Sequence, residues 1–196
     1  VSGLMITAGG KPVKWVRDPV EVFALHVDVP EGARALDLSF EFLSATAPDQ
    51  GRVVVTQEML NLQWNSTAFY PAGWFTRRIP VEASVILPDG WRFGVALDVA
   101  GQSGGKTTFK PVSFETLVDS PMFAGRYFRQ VDLDPGGRSP IVLNIVADRP
   151  EQLEASVGQI ALHRNLVVQA DRLFGPRPFD RYDFLLALTD RMGGIG

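Results

Sequence analysis

Two histidines are the first residues to consider, because a catalytic zinc site usually takes two of its three protein ligands from histidines four positions apart on one helix. The chain contains only His26 and His163, far apart in sequence, and it contains no cysteine. His26 lies in an alternating segment typical of a strand, and His163 lies in a helical pattern without a second ligand nearby. Packed or solvated roles fit both better, so we expect no metal site formed by this chain alone.

Serine and carboxylate chemistry has little support in the sequence. Ser66 or Ser120 with a histidine would form a nucleophilic triad, but no Gly-x-Ser-x-Gly elbow accompanies either serine. Carboxylate pairs such as Asp132 with Asp134 are of the type used in glycoside hydrolysis. They flank turns rich in Gly and Pro, where capping is the better interpretation. A third hypothesis is a carboxylate-based hydrolase. It would require that this polypeptide alone remains active after metals are removed by a chelator.

Aromatic residues are dense in one short stretch. Trp64, Phe69, Tyr70, Trp74 and Phe75 surround a Pro-Ala-Gly turn. Such side chains either stack on a ligand or pack in a core, and core packing is the more common cause. An exposed cluster would give a platform for a peptide or a carbohydrate.

The last stretch of the chain has the composition of a ligand-accepting edge. Residues 182–188 are a nearly unbroken apolar run, too short for a typical helix, which predicts a buried strand. Gly193 and Gly194 follow, and glycines at the end of a strand let another backbone approach closely. A plain turn is the alternative interpretation of these two glycines.

The overall composition excludes several classes of partner. The chain has 196 residues, a net charge of -3 and 45% hydrophobic content, which predicts a globular protein with no basic patch for nucleic acid. No apolar run reaches the roughly 20 residues that span a bilayer. The chain begins at Val1 rather than Met, and its glycine-rich end has nothing to pack on. We therefore interpret it as excised from a longer protein.

The first two thirds of the chain read as β structure. Alternating apolar residues predict strands over 19–29 and 35–43. Residues 79–87 and 91–99 are predicted to form a hairpin joined by Pro-Asp-Gly. Ser113 is placed to cap one or two helical turns before the chain returns to a strand at 125–133.

The last third reads as a β-α-β unit, and we place the domain boundary between residues 137 and 138. A strand over 140–147 is followed by a predicted helix that starts at a capping box of Asp148 and Glu151. The helix carries a broad apolar stripe typical of packing on a sheet, and Gly175 with the following proline ends it. The apolar run at 182–188 supplies the second strand.

Four segments of the chain together resemble one known family. They are WNSTAFYPAG, LPDGWRFGVAL, SFETLVDSPMFAG, and FGPRPFD with YDFLLALTDRMGGIG after it. In this order they are similar to the glycyl aminopeptidases, the sixty-first metallopeptidase family of the thermolysin-like gluzincin clan. In that family the glycine segment leads into a Glu-His pair and then a His-Glu-x-x-His zinc helix. Neither occurs here, and the position of the glutamate in the shortest family pattern is Gly196.

The resemblance implies a fold and a domain organisation. Residues 1–137 would be a mainly β amino-terminal domain of antiparallel sheets, arranged as a sandwich or saddle and lacking its first strands. Residues 138–196 would be the β-α-β start of a thermolysin-like α/β catalytic domain, truncated before the zinc helix.

The resemblance also implies a function. The parent protein would be a zinc-dependent aminopeptidase that acts on peptides and is exported, as similar proteins are. This chain alone would be inactive and would hold no cofactor, and it would serve as scaffold and as one wall of the cleft. Gly193 and Gly194 would pair with the substrate backbone, Trp64, Asn65 and Tyr70 would form the cleft wall, and the remainder of the catalytic domain would be the partner. The competing hypothesis is a free-standing β-rich module that binds peptide or carbohydrate.

Overall fold

The protein is described by a computed structural model that covers residues 1–47, 49–51 and 54–192. The chain divides into two compact units, Val1–Leu43 (unit 1) and Ser44–Gly196 (unit 2). The strands are β1 (Ser2–Ala8), β2 (Lys11–Pro12), β3 (Trp15–Arg17), β4 (Leu25–Val27), β5 (Asp37–Glu41), β6 (Met59–Leu62), β7 (Pro80–Val81), β8 (Ser84–Ile86), β9 (Arg92–Val95), β10 (Val99–Ser103), β11 (Lys106–Phe109), β12 (Val112–Ser113), β13 (Met122–Gly125), β14 (Tyr127–Asp132), β15 (Ile141–Ala147) and β16 (Tyr182–Leu188). The helices are α1 (Phe114–Val118) and α2 (Val157–Phe174), with short 3-10 turns at Trp64–Ser66, Thr76–Arg78 and Pro150–Leu153.

Unit 1 contains two small antiparallel sheets. In the first, β1 lies between β2 and β5, and in the second β3 pairs with β4. Gly9 and Gly10 connect β1 to β2 with φ angles of 56° and 76°, a left-handed geometry that favours glycine. Ile6 and Val13 bury their side chains between these strands.

The predicted strand over residues 19–29 is wrong for most of its length. Only β4 within it is a strand, and the residues before β4 form the loop that joins β3 to β4. The Asp18 carboxylate accepts hydrogen bonds from the amides of Val20 and Glu21, both at 2.8 Å. A side chain that bonds the backbone in this way competes with strand pairing, and Phe23 consequently points into solvent, 86% exposed.

The first part of unit 2 is a set of antiparallel sheets around one core. Their strand orders are β6-β13-β9, β10-β11-β8 and β12-β7. The core between them includes Phe109, Leu117 and Met122, all 3% exposed or less. Ser113 caps α1 as predicted, because its hydroxyl accepts from the Thr116 amide at 3.1 Å.

The predicted hairpin over residues 79–99 has the wrong pairing. The turn is present, with Gly90 at a φ of 77°, but β8 pairs with β11 and β9 pairs with β13. The turn therefore passes the chain from one sheet to another. The sequence signal for a turn is local, whereas the choice of partner depends on strands that lie further along the chain.

The last part of unit 2 is the β-α-β unit that the sequence predicts. The sheet order is β14-β15-β16, with β15 antiparallel to β14 and parallel to β16. The parallel pair runs without a break from Ile141 opposite Tyr182 to Ala147 opposite Leu188, and α2 connects the two strands. The predicted fold class, mainly antiparallel β followed by a β-α-β unit, is confirmed.

The start of the long helix differs from the prediction. Asp148 and Glu151 do not cap it, because the chain first makes the 3-10 turn Pro150–Leu153. The capping box is formed by Ser156 and Gln159, each of whose side chains accepts from the other residue's amide. Both sites fit the same sequence pattern, and the helix begins at the second of them.

The predicted domain boundary falls between two paired strands. Residues 137 and 138 lie in the connection between β14 and β15, which pair over six residues inside unit 2. The boundary between a β domain and a catalytic domain at this point stays a prediction.

Candidate functional site

Strand β16 is the edge of its sheet in the described part of the chain. It pairs with β15 on one side, and no other described strand pairs with it. An edge strand presents a row of free amide and carbonyl groups to which an extended peptide can bind. The seven residues of β16 are mostly apolar and half-buried, so side chains on both faces are packed, and among the described residues its outer edge has no partner strand.

A cleft of about 900 Å³ runs along the first half of β16. It is lined by Arg181, Asp183 and Leu185 from the β16 region and by Asp119 and Pro121 after α1. The cleft therefore lies where the β-α-β unit meets the antiparallel part of unit 2.

Buried hydrogen bonds fix the position of β16. Asp183, with a side chain only 2% exposed, accepts from Nε of Arg181 at 2.8 Å and from Nδ2 of Asn144 at 2.9 Å. Asn144 is fully buried in the middle of β15, and its Oδ1 accepts from Gln130 Nε2 at 2.8 Å. Side chains thus link β14, β15 and β16 across the sheet, and we call Gln130, Asn144, Asp183 and Arg181 the polar network.

Gly94 of β9 allows this network to be covered by a second layer. A Cβ atom built on Gly94 would lie 2.3 Å from both Cβ and Cγ of Asn144, which is closer than atoms can approach. Any side chain at this position would push Asn144 away from its partners. The closest approach of β9 to β15 therefore depends on glycine.

Two carboxylates near the cleft are committed to ion pairs. Hydrogen bonds from Lys110 and Arg181 lower the pKa of Asp98. Burial lowers the pKa of Arg181, but the bonds and charges of Asp183 and Asp98 outweigh it and raise that pKa overall. Asp98 and Asp183 are thus structural. Asp119 and Asp180, which also line the cleft, are exposed and make no side-chain bond to any described residue.

The residues that the sequence suggests for a cleft wall lie apart from this cleft. Trp64 is 9% exposed in the core, where its Nε1 donates to the carbonyl of Ser120 at 2.8 Å. Asn65 is exposed, and Tyr70 is half-exposed with its ring 4.9 Å from that of Phe114. Trp64 thus lies in the core and holds the backbone of Ser120, a residue that lines the cleft. A direct role of the three as a wall stays a prediction.

The two glycines that the sequence suggests for substrate binding, Gly193 and Gly194, lie outside the described residues. Their predicted role stays a prediction. The strand that leads toward them, β16, has the bounds that the sequence predicts.

The two histidines have structural contacts. His26 Nε2 lies 2.7 Å from Asp18 Oδ2 in unit 1, and this bond, with the amides of Glu21 and Val20, lowers the pKa of Asp18 to about 2. His163 Nδ1 lies 2.9 Å from the Gln159 carbonyl on α2. Among the residues described, no group of three or more His, Cys, Asp or Glu side chains is placed to hold a metal. The described residues therefore do not fit a zinc site.

Sequence reasoning missed the polar network. Its signal was present in the strand IVLNIVA, where Asn144 is the one amide in an apolar run. A buried amide must find hydrogen-bond partners, so this asparagine is the signal from which a polar contact inside the sheet could have been inferred.

None of the helices in the described residues has the length and hydropathy needed to cross a bilayer.

These features define a class of protein, a β-rich module joined to a β-α-β unit with a cleft along the edge strand. Residues 1–126 match the model of the Peptidase M61 N-terminal domain family. The chain belongs to this family. The match confirms the resemblance seen in three of the four sequence segments, which lie within residues 64–125, whereas the fourth segment lies beyond the matched region. No curated protein matches the sequence.

Solved structures with a related fold are larger than this chain. An aminopeptidase N family protein from Idiomarina loihiensis is 14% identical with a TM-score of 0.68, over 95% of this chain and 30% of that one. An M1 zinc metallopeptidase from Deinococcus radiodurans is 16% identical with a TM-score of 0.49, over 98% of this chain and 48% of that one. The first likeness shows a shared fold. The chain spans less than half the length of either structure.

Proposed function

We propose that this chain forms the amino-terminal β domain and the start of the catalytic domain of a zinc-dependent aminopeptidase, in which it supplies scaffold and one side of the substrate cleft. Membership of the Peptidase M61 N-terminal domain family supports the metallopeptidase assignment. The shared fold with a protein of the aminopeptidase N family is consistent with it.

The observation that carries the proposal is the available edge of β16 beside a cleft of about 900 Å³. An extended peptide can add to such an edge through main-chain hydrogen bonds. The exposed carboxylates of Asp119 and Asp180 line the cleft, and carboxylates there would complement the ammonium group of a peptide amino terminus. Gly193 and Gly194, further along the chain, would allow the substrate backbone to approach closely.

The remainder of the polypeptide would hold the metal. A catalytic zinc polarises the scissile carbonyl and activates a water molecule, and the described residues of this chain contribute positioning rather than ligands. By family resemblance, small amino-terminal residues such as glycine are the favoured substrates, and the protein is exported.

The experiment is an activity assay of the full-length protein on aminoacyl-anilide substrates, beginning with the glycyl compound. We expect hydrolysis that a chelator abolishes and added zinc restores, and no hydrolysis by the 196-residue chain. An inactive, zinc-loaded full-length protein would refute the proposal. Hydrolysis by the 196-residue chain after chelation would instead support the carboxylate-based hypothesis.

A second candidate function has one specific observation in its favour. Trp74 and Phe75 are 67% and 76% exposed, and the Arg78 guanidinium lies 6.0 Å from the Phe75 ring centroid. Exposed aromatic side chains of this kind stack on sugars or peptides. A free-standing binding module predicts a stop codon directly after Gly196, whereas the aminopeptidase predicts a His-Glu-x-x-His motif further on. Sequencing the open reading frame separates the two.

A further inference from the structure

The carboxyl end of strand β16 is tied to the start of strand β6. The register of β16 with β15 ends at Leu188, opposite Ala147. Beyond that point, Nη1 of Arg191 donates to Oε2 of Glu58 at 3.2 Å, although the two residues are 133 positions apart in the sequence. The Arg191 amide also donates to the Thr189 hydroxyl at 3.0 Å. The chain is therefore attached to a second sheet directly after it leaves β15.

A hydrophobic contact continues this attachment at the next residue. Met192 is half-buried and packs against a cluster of buried apolar side chains, which consists of Met59, Phe123, Phe128 and Val146. Met59 follows Glu58 directly and Met192 follows Arg191 directly. The polar and the apolar contact therefore lie side by side.

The backbone around Glu58 is itself fixed. The Thr56 hydroxyl accepts from the amides of Glu58 and Met59 at 3.2 and 3.1 Å, and the Glu58 carbonyl accepts from the Arg126 amide at 2.8 Å. A Cβ atom built on Gly125 would lie 2.9 Å from that carbonyl oxygen, so the close approach of β13 requires glycine. The Glu58 carboxylate is thus presented from a rigid part of the sheet.

The expected consequence of this ion pair is geometric. The side chains of Glu58 and Arg191 are 25% and 55% exposed, and ion pairs with exposed partners add little to the free energy of unfolding. The pair does restrict where the backbone after β16 can lie. A small misplacement of a group that orients the substrate lowers the rate strongly.

We propose that Glu58 is a positioning residue, which through Arg191 fixes the carboxyl end of β16 so that this edge meets the substrate in one position. The inference rests on the proposed function, in which the edge of β16 and the glycines after it receive a peptide. Gly193 follows Met192 directly in the sequence. A shift of Arg191 is therefore passed to the backbone that the proposed function assigns to substrate binding.

Three variants of the full-length protein test the proposal. Glu58→Gln removes the ion pair and keeps the size of the side chain. Glu58→Arg/Arg191→Glu restores the pair with its charges exchanged. Asp171→Asn is the matched control, because it breaks a partly exposed ion pair with Arg177 at 2.6 Å on the chain before β16. Each variant is assayed on the glycyl anilide.

Glu58→Gln should raise KM at least about fivefold and change kcat by less than about twofold, because backbone pairing holds the substrate equally in the ground and transition states. The double variant should return KM to within about twofold of the original, since the two charges act as a pair. Asp171→Asn should leave KM unchanged. A merely structural role would lower the active fraction, and hence the apparent kcat, without moving KM.

An unchanged KM in Glu58→Gln would overturn the proposal. A raised KM that the exchanged pair does not recover would also overturn it, because the carboxylate would then act without Arg191.

Hydrogen exchange gives a measurement that is independent of activity. Peptides containing residues 189–192 are followed by mass spectrometry in the full-length protein. Glu58→Gln should exchange at least about fivefold faster there than the original protein, because a segment that has lost its attachment opens more often. Asp171→Asn should exchange at the original rate. Equal rates in Glu58→Gln and the original protein would overturn the proposal.

The outcome is separable from that of the proposed function. A full-length protein without zinc-dependent hydrolysis would refute the function, and the exchange rates would still show whether Glu58 fixes the end of β16. Zinc-dependent hydrolysis with KM and exchange unaffected by Glu58→Gln would keep the proposed function and overturn the positioning role.

Discussion

The β-α-β segment from β15 to β16 and unit 1 are both rich in apolar residues, yet they use them differently. β15 and β16 pair over seven residues, and Val146 and Ala147 are fully buried. In residues 1–43, all of which the structure describes, only Ile6 and Val13 are buried apolar side chains, and Phe23 is 86% exposed. The alternation over residues 19–24 leaves most of its apolar side chains exposed and gives a loop, whereas the apolar run of β15 is buried on both faces and gives a paired strand.

The largest expected effect is in the polar network. Asn144→Asp places a second carboxylate against Asp183, 2.9 Å from the present amide, in a fully buried position. We expect a loss of about 4 kcal/mol in unfolding free energy, since buried charge without compensation is costly. Urea denaturation measures it. Adding Asp183→Asn should restore about 1 to 2 kcal/mol of this by coupling, and strictly additive effects would contradict a direct interaction.

A smaller loss is expected at the contact between layers. Gly94→Ala introduces a Cβ 2.3 Å from the Asn144 side chain, and overpacking of this kind costs about 2 to 3 kcal/mol. The matched control is Gly101→Ala, whose Cβ would meet nothing within 4 Å and whose backbone is not left-handed. The two variants are compared by urea denaturation. Similar stabilities would show that β9 does not lie against Asn144.

Unit 1 should tolerate the loss of the Phe23 side chain, which the alternating sequence pattern would place on the buried face of a strand. Phe23→Ala is expected to alter the unfolding free energy by no more than about 0.5 kcal/mol, because the ring is exposed. Ile6→Val, in the buried part of the same unit, should cost about 1 kcal/mol. A loss of several kcal/mol in unfolding free energy for Phe23→Ala would instead support the continuous strand over residues 19–29 that the alternation predicts.

The smallest effect is the pH dependence of the β3–β4 loop. The hydrogen bond from His26 and the amides of Glu21 and Val20 lower the pKa of Asp18 from 3.8 to about 2. Because the folded pKa is below the unfolded one, the stabilisation is fully present above pH 3.8 and is lost as the pH falls toward 2. Hydrogen exchange of the β3 and β4 amides at pH 5 and pH 2.5 should reveal it. Asp18→Asn should not show this dependence.

The sequence predicted elements whose signals are local. The observed bounds of β16 match the prediction, which depends on a short apolar run between Pro178 and a pair of glycines. The Ser113 cap of α1 and the Gly175 end of α2 were also predicted, since each depends on one residue and its own backbone.

Errors arose where two local patterns competed or where the partner was distant. Asp148 with Glu151 and Ser156 with Gln159 have the same capping-box spacing, so the pattern alone does not show that α2 begins at the second pair. The partners of β8 and β9 lie beyond the turn that joins them, so the turn residues could not reveal them.

The candidate site was only partly predictable for the same reason. The sequence pointed to β16 and the glycines after it, but the cleft depends on Asp119 and Pro121, which approach β16 only through folding. The polar network joins Gln130, Asn144 and Asp183 from three strands. No spacing in the sequence reports that contact.

We propose that the cleft beside β16 receives the substrate, and hydrogen exchange on the full-length protein can locate the bound peptide. A competitive, non-hydrolysable peptide analogue should slow exchange of the β16 amides and of residues 119–123, and leave unit 1 unchanged. Slower exchange confined to residues 64–75, around the exposed aromatic side chains, would show that the peptide binds elsewhere and would favour a binding module instead.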